Sequence, residues 1–465
     1  MKFYKYAGIG MDNWSQRIEK SGKPRYLAIA DCIAQDMKDR VLLPGDRLLP
    51  QRKLADLIGV DFTTVSRGYA EALSRGLIES HVGRGTFILP QQSFSDTSDE
   101  RRALANDLTM NAPPEPTDPE LLERMRAGLS AVSNDLVHLL RYQNPIGGEI
   151  DKEAASIWLS MRGLVPNLDR IAVTPGAHAT MLAILTVLAQ PGDCILCEEI
   201  TYAGFKKIAA QLGLQLIGLP MDPQGVVPDA LEAAIKEHRP KALYLNPTLH
   251  NPTTMIVPQD RRLEITDVMK RYDLPLIEDD AYGFVLPDAP PPMAASAPEL
   301  TWYIGGLAKC IGAGLRLAYT IAPSARAGFA MENGIRAVSV MASPVSTAIA
   351  TRWVLDGTAD QIRRFIRSET AVRQEIAAEK ITEAEFVSNR HAFNIWLRLP
   401  DKVTCAALMS NMSNQEIGIS PESAFRSAGN RDRYVRICLG GRLHRNVLPQ
   451  TLAHLNNQLW QLSKT

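Results

Sequence analysis

Residues 303–319 read YIGGLAKCIGAGLRLAY, and residues 274–284 read LPLIEDDAYGF. Each opens on a short apolar run that ends in glycines or acids. Runs of this length, bounded by turn-forming residues, mark strands buried on both faces. The same grammar recurs outward in the chain: RIAVTPG at 170–176, CILCEE at 194–199, LQLIGL at 214–219, KALYLNP at 241–247 and LAYTIAP at 317–323. Between them lie stretches of helical length and period, such as PDALEAAIKEH at 228–238 and RRLEITDVMKRY at 261–272. The alternation predicts an α/β domain built on a mainly parallel sheet. Such a sheet binds its ligand beyond the C-terminal ends of its strands. The residues just after each run therefore carry the chemistry.

The chain has 465 residues, with 51 Lys+Arg against 51 Asp+Glu. That length implies more than one domain. The zero net charge argues against a wholly basic nucleic-acid-coating protein and against an acidic disordered one. The zero is a sum of unlike parts. Residues 1–90 hold 14 Lys/Arg and 10 Asp/Glu, a net +4, so the rest carries −4. No stretch of about 18 unbroken apolar residues occurs, so no transmembrane helix is expected. The N-terminus lacks a secretion-signal pattern, and a cytoplasmic location is expected. Six cysteines in this length make no disulfide scaffold. Cys194 and Cys197 sit three apart in a buried run, pointing to opposite faces. A metal or redox role is disfavoured, and no metal site is expected. No internal repeat is seen.

Before the sheet region, a compact zone runs to residue 90. The segment 26–39 places Leu27, Ala30, Ile33, Ala34 and Met37 on one helical stripe. Residues 51–58 form a short helix burying Leu54, Ala55 and Ile58. Gly59 turns the chain and Asp61 caps the next helix. That helix is expected to bury Val65, Tyr69 and Leu73 while exposing Thr63, Thr64 and Arg67. LIES, HVGRG and TFIL then read as strand, glycine turn and strand. Two helices joined by a glycine turn, the second presenting hydroxyls and a cation, suit docking in a DNA major groove. Arg52 and Arg84 are placed to meet phosphates or a groove edge. A protein-binding helical module is the competing reading. A polar, then proline-rich stretch at 91–118 reads as a linker, and residues 119–465 as the second domain.

In that second domain, Lys309 follows an apolar strand amid glycines, and Arg316 lies seven residues on. Alone, Lys309 reads equally as a solvated charge. A lysine nucleophile with an arginine phosphate clamp is the pairing that pyridoxal 5'-phosphate needs. Asp279, at the end of a buried strand, suits the cofactor's pyridine nitrogen, with Glu278 and Asp280 as solvated or structural neighbours. Tyr282 and Asn251 suit its phenolic oxygen. The amides of Ala177 and His178 open a helix after Gly176 and face any phosphate there. Tyr202 suits ring stacking. Each of these is weak alone; their order along successive strands is the signal.

The string PGDRLLPQRKLADLIGV through TTVSRGYAEALSRGLIESHVGRGTF resembles the GntR class of winged helices, with Phe62 where that class usually has arginine. Residues 120–465 resemble the fold-type-I pyridoxal-phosphate-dependent aminotransferases, with a large parallel-sheet part and a smaller α+β part from about residue 355. The resemblance implies Lys309 as the aldimine lysine and Asp279 as the pyridine partner. It implies Asn251 and Tyr282 at the phenolic oxygen, Tyr202 as the stacking ring, and Arg316 with the Ala177–His178 amides as the phosphate cradle. It further implies Arg436, in RYVRICLGG, as the substrate carboxylate grip. Tyr142, in RYQNPIGG, is implied to reach the partner subunit's phosphate in a homodimer. Three departures stand out: Gly306 and Ala308 replace serines common in the family, and NPTT replaces NPTG. Together the two halves, with DLTMNAPPEPTDPELL between them, resemble the MocR family of transcription regulators. That family implies a dimer that binds double-stranded DNA operators and senses the cofactor, or a small amine or amino acid, through its aldimine. The alternative is a working aminotransferase acting on an amino acid and a 2-oxo acid.

Overall fold

The computed structural model describes residues 13–39, 41–43, 45–81, 85–89 and 107–464. The chain forms two compact units, Met1–Asn106 and Asp107–Thr465.

The first unit holds α1 (Trp14–Lys20), α2 (Arg25–Lys38), α3 (Gln51–Ile58) and α4 (Phe62–Ser74). β1 (Ile78–His81) then pairs antiparallel with β2 (Gly85–Ile88), Ile78 opposite Ile88. Gly59 closes α3 at φ 67°, a left-handed turn that favours glycine. Asp61 caps α4 by accepting the Thr64 amide at 2.9 Å. Leu54, Ala55 and Ile58 are buried as expected. Two expectations are corrected. Leu73 is 50% exposed, because α4 packs on α2 through Val65, Gly68, Tyr69 and Ala72, and Leu73 lies just off that stripe. On α2 the buried face is rotated from the expected stripe: Ala30 and Ile33 are buried as expected and Ala28, Ile29 and Cys32 join them inside, while Leu27, Ala34 and Met37 are only partly covered. α1 explains the rotation. Its Trp14 is wholly buried and donates to the Asp36 carboxylate at 2.7 Å, so α2 has neighbours on two sides.

The second unit is built on a seven-stranded sheet among the described residues. Its strands are β3 (Ile171–Thr174), β4 (Cys194–Glu198), β5 (Gln215–Leu219), β8 (Ala242–Leu245), β9 (Leu276–Asp279), β10 (Thr301–Gly306) and β11 (Ala318–Ile321). A small hairpin, β6 (Met221–Asp222) and β7 (Gly225–Val226), interrupts the series. The spatial order is β3-β11-β10-β9-β8-β4-β5. β11 runs antiparallel to both its neighbours. The ladders from β10 through β9, β8 and β4 to β5 are parallel. The predicted runs are these strands, and separate apolar clusters line the sheet. Cys197 packs in one of them and Cys194 against another, as their opposite faces require. Towards the C-terminus, β12 (Phe386–Val387), β13 (Asn394–Arg398), β14 (Ile419–Pro421) and β15 (Tyr434–Cys438) form an antiparallel sheet ordered β12-β13-β15-β14. The helices Thr358–Lys380 and Leu448–Lys464 contribute to its core.

The domain boundary differs from the expectation. The second unit begins at Asp107, so residues 107–118 are not linker. Asn111, Pro113 and Pro114 are buried in it. Proline-rich composition signals a lack of helix or strand, and such a segment still packs where a groove accepts it. Among the described residues, no helix is long and apolar enough to cross a membrane.

Candidate functional site

β8, β9 and β10 are adjacent and parallel, so the residues leaving them meet at one edge. Asp279 ends β9, Asn246 follows β8, and a 3-10 turn, Leu307–Lys309, follows β10. A cavity there is lined by Ala177, His178, Tyr202, Asn251, Asp279, Tyr282, Lys309 and Arg316, all predicted site residues. A neighbouring cavity of about 510 Å³ shares His178, Tyr202, Asn251 and Lys309 and adds Arg436.

Asp279 is fixed by a residue that sequence reasoning missed. The Tyr244 hydroxyl donates to Asp279 Oδ2 at 2.9 Å, and the Tyr244 ring stacks on Phe205 with centroids 3.7 Å apart. Asp279 Oδ1 is buried with no partner. Burial pushes this carboxyl up to about 6, opposed by the Tyr244 bond. Asn246 ties the loops together. Its amide donates to the Asp279 carbonyl at 2.6 Å, and its Oδ1 accepts the Asn251 N–H at 2.8 Å. Glu278 and Asp280 are structural, and neither is solvated. Asp280 accepts Arg162 Nε and the Tyr303 hydroxyl, each at 2.8 Å. Glu278 accepts the Met293 and Ala294 amides. The available signal for Tyr244 was its hydroxyl: a tyrosine wholly buried in a strand needs a partner.

Lys309 is half-buried, and burial lowers its ammonium to about 8, with Arg436 adding to the shift. It donates to the Asn111 carbonyl. The Tyr282 hydroxyl accepts from Asn111 Nδ2 at 2.8 Å, and burial raises its phenol well above the usual value, so the proton stays. Arg316 closes a short turn at φ 52°, two residues before β11. Its backbone and guanidinium lie against Gly176, whose added Cβ would come within 3.3 Å of Arg316 C and 3.6 Å of Nη2. Gly176 precedes the helix Ala177–Leu188, so the guanidinium and the free amides at that helix start are neighbours. The His178 and Tyr202 rings meet edge to face at 5.6 Å. Burial lowers the His178 imidazolium, helped by Arg316 and Lys309. Gly204 makes room for both rings, since a Cβ there would lie 2.6 Å from each.

Arg436 is buried, and its partners are all neutral. Nη1 donates to Asn251 Oδ1 at 2.8 Å. Nη2 donates to the Thr109 carbonyl and to Ser420 Oγ, the latter at 3.3 Å. The guanidinium lies 4.9 Å from the Phe425 ring centre, and Nε has no partner among the described residues. Tyr142 is 84% exposed and lines neither cavity.

In the first unit, Arg52, Thr63 and Arg67 are exposed and Thr64 is half-buried. Arg52 lies 5.8 Å from the Phe62 ring centre, and Arg67 lies 4.2 Å from that of Tyr26. The Thr63 and Thr64 hydroxyls both donate to Asp61, Thr64 at 2.6 Å. Arg84 lies outside the described residues.

The donor set fits pyridoxal phosphate. A buried, unpartnered carboxylate oxygen calls for an N–H, and the cofactor's protonated pyridine nitrogen supplies one. The sheet and these side chains together define a fold-type-I pyridoxal-phosphate domain. Residues 107–454 match the family model of aminotransferase class I and II, and residues 25–88 match that of bacterial regulatory proteins, gntR family. The chain belongs to the aminotransferase class I and II family and carries a gntR-type winged helix, the composition expected of a MocR regulator. It is 29% identical to the HTH-type transcriptional regulator YdeF of Bacillus subtilis over 470 residues, covering 97% of this chain and 96% of that protein. It is 26% identical to the vitamin B6 salvage pathway transcriptional repressor PtsJ of Salmonella typhimurium, covering 80% and 84%. Among solved structures, an archaeal alanine:glyoxylate aminotransferase superposes with a TM-score of 0.70 at 21% identity, over 78% of this chain and 94% of that one. LysN, the α-aminoadipate aminotransferase of Thermus thermophilus, gives 0.69 at 20% identity over the same shares. These solved structures establish the fold. At Gly306, where the family commonly has serine, a Cβ would meet only Ala177 Cβ and Ala281 Cα at 3.9 Å.

Proposed function

We propose that this chain is a dimeric, cytoplasmic, pyridoxal-phosphate-dependent transcription regulator that binds double-stranded operator DNA and senses the cofactor or a carboxylate-bearing amine. The observation that carries this reading is the pairing, in one chain, of a gntR-type winged helix with a site whose Arg436 is buried and hydrogen-bonded, among the described residues, only to neutral groups. The cofactor supplies an electron sink beside the ligand's amine-bearing carbon. Lys309 is the nucleophile, and its lowered pKa keeps free amine available near neutral pH. Tyr244 holds Asp279 through Oδ2, and the unpartnered Oδ1 would accept the pyridine N–H. Tyr282 and Asn251 serve the phenolic oxygen, and Tyr202 covers the ring. Arg316 and the Ala177 and His178 amides hold the phosphate. Arg436 grips the ligand carboxylate. On the winged helix, Arg52, Thr63, Thr64, Arg67 and Arg84 meet the DNA.

The dimer reading is supported by exposed Leu136, Val137, Leu140 and Tyr142, beside a groove of about 470 Å³. A second copy covers such a patch, and Tyr142 then reaches its partner's phosphate.

An active aminotransferase is the second reading, favoured because Lys309, Asp279, Asn251 and Arg436 line two adjoining cavities. One experiment separates the two. Holoprotein is mixed with amino acids while its visible absorbance is followed, and binding to its own upstream DNA is measured in parallel. Specific DNA binding that responds to the amine, without rapid turnover, is expected. Rapid turnover of a common amino acid with a 2-oxo acid, and no DNA binding, overturns the regulator reading.

A further inference from the structure

We propose that residues 107–111 form a strap that docks in the ligand half of the site as a built-in competitor, so that strap docking and occupancy by a carboxylate-bearing amine exclude one another. This rests on the ligand-sensing reading above and supplies its switch.

The strap's anchors are the groups a ligand needs. The Thr109 carbonyl sits on Arg436 Nη2, and the Asn111 carbonyl sits on Lys309 Nζ. Arg436 Nη1 is already committed to Asn251. A carboxylate that grips the guanidinium with two oxygens must take Nη2, and so must displace Thr109. The exchange is favourable, because a carboxylate bonded to the guanidinium compensates the buried cation directly, whereas the docked strap offers it a neutral carbonyl and, beyond bonding distance, the exposed Asp107 carboxylate. Asn111 extends the same pattern. Its Nδ2 donates to the Tyr282 hydroxyl at 2.8 Å and to Asn394 Oδ1 at 3.0 Å, while its own Oδ1 is buried without a partner. The docked strap thus carries an unmet acceptor, which keeps it poised for release.

The seat is built for backbone. A Cβ on Gly418 would lie 1.8 Å from the Leu108 carbonyl oxygen, and one on Gly440 would lie 1.9 Å from that of Ala112. Gly418 therefore admits the strap, and Gly440 admits its hinge. Beyond it the chain is firmly held: the Gly441 amide donates to the Pro113 carbonyl at 3.1 Å, and Pro113 and Pro114 are buried. Residues 107, 109 and 110 are exposed. The outer part can leave while the inner part stays, with the hinge at residues 112–113. The chain passes from the first unit to the second at Asp107. Release adds residues 107–111 to the span between them, so ligand occupancy is felt by the connection to the DNA-reading unit.

The test is amide hydrogen exchange of residues 108–112 in the full chain loaded with pyridoxal phosphate. The Thr109, Met110 and Ala112 amides bond to Asp107 and Met110 within the strap itself; so short a run of turns does not hold such bonds once released into water, so docking should slow their exchange. Gly418→Ala evicts the strap without touching a ligand-binding group, and Arg436→Met removes its strongest anchor. Each is expected to speed exchange about ten-fold or more, the effect of losing a bond to a charged group. Glycine, carrying both an amine and a carboxylate, should speed exchange in the wild type and bind several-fold tighter to Gly418→Ala, which no longer has a strap to displace. Melting temperature checks that each variant folds. Exchange already fast in the wild type, or still slow in folded Arg436→Met, overturns the strap. Weaker glycine binding by folded Gly418→Ala overturns the competition. Failure of the function reading looks different: the visible cofactor band or the DNA binding is missing, while the exchange of Arg436→Met still reports on the strap.

Discussion

The two places where arginine is expected to recognise a partner are built in opposite ways. Arg436 is buried, surrounded by neutral oxygens and the Phe425 ring, with Nε unpartnered. Arg52 and Arg67 are exposed, each lying near an aromatic ring. The desolvation of Arg436 is completed by folding, so an arriving carboxylate meets a cation already stripped of water. Salt screens that encounter little. Arg52 and Arg67 keep their water, and what they contribute on DNA comes mainly from released counterions, which salt erodes. One design favours selection of a single ligand group; the other favours additive, modest and salt-dependent attachment to a polyanion.

The largest effect is expected at the cofactor. Lys309→Ala should lose the covalent cofactor band entirely; a variant of unchanged colour would show that the buried site does not work as assigned. Next, Arg436→Met should weaken the response to carboxylated amines by about 100-fold, from loss of a buried charge pair, while the cofactor stays bound. Titrations at low and high salt should give nearly the same loss, and a strongly salt-dependent loss would erase the contrast with the DNA face. Tyr244→Phe should weaken cofactor binding about ten-fold or more, since a hydrogen bond to a charged group contributes ~1.5–3 kcal/mol. Equilibrium titration followed at the visible band checks it, and unchanged affinity would mean that Asp279 orients without its tyrosine. The rate of covalent cofactor attachment should rise with pH, because the free amine attacks, and level off above about 8 instead of near 10.5. Stopped-flow rates across that range report the midpoint. The smallest effect is expected for Arg52→Ala, a few-fold loss of DNA affinity with the salt slope reduced by about 1; an unchanged slope would remove Arg52 from the phosphates.

Much of the site was legible because a parallel sheet imposes an order. Residues that leave adjacent strands at the same end must converge, so Asn251, Asp279, Tyr282 and Lys309 could be read from their positions after apolar runs. Arg436 was legible through family resemblance. Leu73 shows where periodicity fails: a four-residue spacing drifts off a stripe of 3.6 residues per turn, and over two turns the drift left it half outside. Asn111 gave no signal, since its segment has the composition of a linker and its partners lie 171 and 283 residues away.

From the sequence alone came the two-part organisation, the mainly parallel sheet and the identity of the groups at its C-terminal edge. These follow from local patterns of burial and from chain order. Only the tertiary structure decided that Tyr244 holds Asp279, that Arg162 and Tyr303 hold Asp280, and that the chain's own backbone lies on Arg436 and Lys309. Those contacts join residues far apart in the chain, and which buried donor meets which acceptor depends on packed geometry that no local pattern encodes. The glycine seat at Gly418 and Gly440 makes the point in its simplest form. A missing side chain has no chemistry to read until the backbone that fills its place is seen.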